Sequence, residues 1–271
     1  MDPLPVDCRL SPLAFDIATA AGWYSSIAGV LAGFALLAIL LPLDHVDDDS
    51  DEHTTSNAVV VFVSAFFSLL ILSFAYAVLS GRSGEGDELA IAVFEQLLLG
   101  GVFGLSTLLL MLGIHAVLRS YGSNRLVFAP ARQLIRVMTA ILGPLLVLAL
   151  QFSSALDLAR YRLGADAAGM AQCDVAGFPA AVWVDLAIVA AATIGIALLA
   201  LLRERLPAHP SAAPTAAKLV LGMTSAIVVV ASVLVPLLPA ATVTSPLLEH
   251  GALVAVAVGA LAVAYASWAS R

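Results

Sequence analysis

The thirty residues from Leu89 to Leu118, LAIAVFEQLLLGGVFGLSTLLLMLGIHAVL, hold one carboxylate, Glu95, and one histidine, His115, in an otherwise apolar or small-polar run. The hydrocarbon core of a bilayer is about 30 Å thick, and a helix needs about 20 predominantly apolar residues to cross it. Leu89 to Leu118 exceeds that length and predicts a membrane-spanning helix. Six further stretches pass the same test, so spans are expected at 22–43, 58–80, 89–118, 134–157, 179–202, 217–238 and 246–267. The fold class read from them is all-α, one integral membrane bundle of seven transmembrane helices over 1–271.

Composition agrees with this reading. Of the 271 residues, 61% are hydrophobic and 11% charged, with a mean hydropathy of +1.02, whereas about 25% of the residues of a soluble domain are charged. The net charge of −7 and the solitary lysine, Lys218, leave no basic surface for nucleic acid, whose phosphates call for clustered Arg and Lys. The first 21 residues carry Asp2, Asp7 and Asp16 and lack the basic start of a removable signal peptide. They are expected to form a tail outside the cytoplasm, with the first span as the insertion signal.

Arg and Lys resist translocation, so the face richer in them is the cytoplasmic one. One face carries Arg9, Arg82, Arg160 and Arg162; the other carries Arg119, Arg125, Arg132, Arg136, Arg203, Arg205, Lys218 and Arg271. Eight against four favours the N-terminus outside and the C-terminus inside a cell membrane. Richness in Ala and Arg with so little Lys points to a prokaryote.

Ionisable side chains are costly inside a bilayer and are functional candidates for that reason. Glu95 and Asp185 lie near the starts of their spans, Glu249 and His250 open the last, and Asp157 closes the fourth. All five fall in one shallow layer near the predicted outer face. Gln151 and Asp157 share a polar side of span four, and Gln96 starts a small or polar side of span three. The expected ligand-binding vestibule is therefore Glu95, Gln96, Gln151, Asp157, Asp185, Glu249 and His250. Its donors suit a small ligand or cation, and a divalent cation is the cofactor they would accept. The predicted function is moving or sensing that ligand. The alternatives are a membrane-embedded metal-dependent hydrolase built on Glu95, Asp185 and His250, or a non-catalytic subunit of a larger complex. Besides lipid and ligand, further copies of the chain are admissible partners.

The common catalytic signatures are missing. The five histidines are too scattered for a three-His zinc site, span seven has no Lys for a Schiff base, and neither a P-loop nor a GxGxxG run is present. Residues 44 to 52 gather six of the nineteen carboxylates. Asp47, Asp49 and Asp51 open like a calcium loop and make a weak metal candidate, but Glu52 stands where the turn needs Gly and Ala58 where a bidentate Glu belongs.

Cys8 and Cys173 are separated by four predicted crossings and so share a face, the oxidising one in the favoured orientation, where they are expected to form a disulfide. A membrane-impermeant thiol reagent should label both in intact cells only after an impermeant reductant; labelling only after lysis would invert the orientation.

Overall fold

A computed structural model describes residues 16–44, 52–82, 87–120, 125–167 and 180–270. All its long elements are helices: α1 (Ile17–Asp44), α2 (Glu52–Ser80), α3 (Asp87–Ser120), α4 (Arg125–Val137), α5 (Gly143–Ala167), α6 (Ala180–Leu201), α7 (Ala212–Val229), the short α8 (Ala240–Val243) and α9 (Pro246–Ala269). Seven stretches are long and apolar enough to cross a membrane: Ile17–Leu40, Thr55–Ser80, Glu88–Arg119, Ala129–Ala159, Ala180–Leu201, Ala212–Leu237 and Pro246–Ala269. This is the architecture of a multi-pass membrane protein. Each coincides with an expected span, and most begin a few residues earlier. Span one starts at Ile17 and not Gly22 because the Asp16 carboxylate accepts hydrogen bonds from the Thr19 amide at 3.2 Å and the Thr19 hydroxyl at 2.6 Å, satisfying a helix-start donor that hydropathy does not see. Those bonds hold the Asp16 carboxyl below its ordinary pKa.

The helices alternate in direction, giving the bundle one end where span one begins, here the N-terminal end, and a C-terminal end where span seven finishes. Large apolar side chains such as Phe34, Phe74, Leu146 and Ile194 lie on the outside, as a helix bathed in lipid allows. Trp23, 69% exposed, and Trp183 lie at the N-terminal end in the manner of interfacial anchors. Trp268, near the other end, is only 3% exposed, with Arg136 and Arg203 over its ring.

Without a hydrophobic force between helices in lipid, close approach depends on small residues. Spans three and seven are the centre, each two-thirds buried at 67%. A side chain at Gly259 would collide with Leu105, and a Cβ on Gly101 would collide with Val256 and lie 2.7 Å from the Gln151 side-chain oxygen. Span one also carries small residues four apart, Gly29 and Gly33, but lies at the periphery, 22% buried. It packs mainly on α2. There Ser25 and Ser73 clasp reciprocally, each hydroxyl donating to the other's backbone carbonyl at 2.9 Å.

Spans four and six are bent by the same device. Proline lacks an N–H and crowds the carbonyl four residues back. Before Pro144 the chain widens into a π-helical turn, Met138–Leu142, in which the Gly143 amide reaches Met138. Before Pro236 it widens again, Val230–Leu234, with the Val235 amide on Val230. The bend at Gly143-Pro144 follows from the sequence; the one at Pro236 emerges only in the fold.

Gly101→Ala should lower the melting temperature of the purified protein, by overpacking worth about 1–3 kcal/mol. Gly33→Ala, where a Cβ meets nothing, should leave it unchanged.

Candidate functional site

The expected polar layer at the N-terminal end is present, and it is organised as ion pairs. Glu95 is buried on α3, about 10 Å below the start of its span at 1.5 Å per residue. Its partner comes from the end of α2. The Gly81 and Arg82 amides fold back on the Val78 and Leu79 carbonyls at 3.2 and 3.1 Å, and that turn sends the Arg82 guanidinium to within 2.8 Å of Glu95. Gln151, buried on α5, donates to the Leu97 carbonyl at 2.9 Å and ties span four to span three.

A second group joins spans four, five and seven. Proline at the first turn of α9, after Ser245, fixes the helix start and leaves Glu249 in that turn, where the positive end of the helix dipole favours an anion. Glu249 is fully buried, and one of its oxygens accepts a hydrogen bond from Arg162 of α5. The other has no hydrogen-bond partner. The next residue, His250, places Nδ1 2.7 Å from the Asp185 carboxylate of α6, which is buried. The Arg162 guanidinium also feels the Asp185 charge, which raises its pKa against the larger, lowering effect of burial. Two carboxylates, one guanidinium and one imidazole thus share a compact site. With the imidazole neutral they carry one net negative charge, and a proton or a bound monovalent cation cancels it.

Of the seven expected residues, Asp185, Glu249 and His250 come together around Arg162, while Glu95 is held apart in the Arg82 pair. Gln151 has a structural partner, Asp157 is half-buried and itself engaged, and Gln96 keeps a buried side-chain oxygen without a partner. The trio Glu95, Asp185 and His250 is divided between two ion pairs, and among the described residues no three His, Cys, Asp or Glu side chains are arranged so that they could hold one metal ion. Asp47, Asp49, Asp51, Cys8 and Cys173 lie outside the described residues. Arg82 and Arg162 are the members that sequence reasoning passed over. The one available signal was that several buried carboxylates must find cations and that these arginines follow apolar spans ending in the same layer.

Comparison with protein-family models, with curated proteins and with solved structures finds no match.

Removing one partner of a buried pair strands the other charge, a loss of about 3–5 kcal/mol. Arg162→Gln should therefore lower the melting temperature markedly, and adding Glu249→Gln to it should recover part of the loss. A double variant no more stable than Arg162→Gln alone would refute the pairing.

Proposed function

We propose that this chain is a prokaryotic cell-membrane protein, N-terminus outside and C-terminus inside, that binds a small cation in its outer polar layer in order to move or sense it. Seven apolar helices support the membrane reading, and the excess of arginines towards the C-terminal end supports the orientation. The observation that carries the ligand class is the Arg162, Glu249, Asp185 and His250 group, which has one more acid than permanent base and a Glu249 oxygen left without a hydrogen bond. A buried polar atom of that kind is costly unless something fills its place part of the time. The cation takes that place, beside the His250 ring that already contacts Asp185. Asp185 and Glu249 are the binding groups; Arg162 positions them and keeps their combined charge low enough to be buried.

The midplane of the spans carries Ser and Thr, with Ser106 3.5 Å from Thr224 across spans three and six. Hydroxyls there suit passage of a small ion better than tight binding of one.

A ligand that binds only the folded state stabilises it, by about 2.7 kcal/mol at a hundred times its dissociation constant. In neutral detergent, the melting temperature of the wild-type protein should rise in at least one of sodium, potassium, magnesium or zinc chloride at constant ionic strength. Asp185→Asn should remove the increment whatever it does to the starting temperature. A wild-type curve unmoved by all four salts would refute the reading.

A further inference from the structure

The C-terminal end of the bundle holds a cavity of opposite character. It has a volume of about 440 Å³ and is lined by Arg119, Arg132, Arg136 and Arg203, with Gln133 and Trp268 completing its polar and aromatic wall. Among the described residues that line it there is no carboxylate. The four guanidinium groups converge from three separate parts of the chain: the last turn of α3, one face of α4, and the turn that follows α6. On α4 the residues Arg132 and Arg136 are one helical turn apart and so share a side, and Gln133 flanks them.

Two features go beyond what orientation alone requires. The positive-inside rule asks for basic residues in the loops; it does not ask that they meet at a cavity. Here Trp268, buried, carries Arg136 at 5.7 Å and Arg203 at 5.6 Å from its ring. An arginine stacked on an aromatic face keeps its N–H groups in the guanidinium plane, where they remain able to grip an oxyanion in pairs. Behind this wall, within electrostatic reach of Arg119, Arg132 and Arg136, His115 is buried, and neither of its ring nitrogens has a hydrogen-bond partner.

We infer that this cavity is a binding site for a phosphate-bearing anion, held by Arg119, Arg132, Arg136 and Arg203. Phosphate oxygens match the fork geometry of arginine bidentately. The volume lies within the range of about 300–1,000 Å³ typical of small-molecule sites and so admits a phosphate ester or diphosphate with some of the group it is attached to. The phosphate comes either from a soluble phosphorylated compound or from the headgroup of an anionic lipid, for which basic pockets between helices on the cytoplasmic side are suitable receptors. The site is separate from the acidic layer and does not rest on the function proposed for it.

The full-length protein, delipidated in neutral detergent, is titrated with sodium pyrophosphate by calorimetry at low ionic strength. In parallel its melting temperature is compared in nanodiscs of pure phosphatidylcholine and in nanodiscs containing one-third phosphatidylglycerol. Saturable pyrophosphate binding that weakens at least tenfold in Arg132→Gln/Arg203→Gln, and is unchanged in the Lys218→Gln control on the exposed surface of α7, establishes a soluble phosphate ligand. A melting temperature raised only by phosphatidylglycerol, and only with both arginines present, establishes a lipid headgroup. Neither response in the wild type, or responses that persist undiminished in the double variant, overturns the inference. Arg136→Lys is the second variant should Arg132→Gln/Arg203→Gln fold poorly; it keeps the charge but loses the fork and should weaken pyrophosphate binding severalfold.

Discussion

The contact between α3 and α9 is the constraint on which the rest of the bundle depends. Both helices are buried along most of their length, and they meet where Gly101 faces Val256 and Gly259 faces Leu105. Because the outside of the bundle is as apolar as the inside, burial of oily surface cannot choose the partner of each helix. Shape does so. A glycine on each helix receives a branched side chain from the other, which fixes their separation and register together, and the remaining spans are placed against that pair. Gln151 reaches Leu97 because α5 is drawn against the same small-residue face of α3, and the α9 start brings Glu249 and His250 to the level of Arg162 and Asp185.

Much of this is visible in the sequence, for an identifiable reason. Membrane spans declare themselves by length and hydropathy, which are properties of one segment at a time, and all seven fall where expected. The depth of Glu95, Asp185, Glu249 and His250 follows equally from counting along a helix. What is hidden is everything that depends on a neighbour. Arg82 and Arg162 lie beyond the apolar stretches and look like ordinary flanking charges until the fold turns them inward. Gly29 and Gly33 lie four residues apart, a spacing that suits close helix packing, yet Gly33 faces outward, because spacing cannot tell which helices are central. Trp268 resembles an interfacial anchor because its burial is caused by arginines far away in the sequence.

The ionisable groups inside the bundle are sorted by sign to opposite ends. Carboxylates dominate the paired layer where spans one, three, five and seven begin, and guanidinium groups dominate the cavity where they finish. Between them the described core carries hydroxyls such as Ser106 and Thr224 and the Gln151 amide. Charges of opposite sign so far apart gain little from one another through direct attraction, so each end is satisfied locally: the acidic one by its own arginines, the basic one by stacking on Trp268.

The widened turn before Pro144 links these two ends within a single span. Each residue of an α-helix turns the chain by about 100°, and a π-helical turn accommodates one residue more than the regular ladder would. Arg132 and Arg136 precede it, while Gln151, Asp157 and Arg162 follow it. The extra residue therefore acts as a phase-setter, rotating the half that serves the acidic cluster relative to the half that serves the basic cavity. In a straight helix of the same sequence the second set would stand about 100° round from its present direction relative to the first.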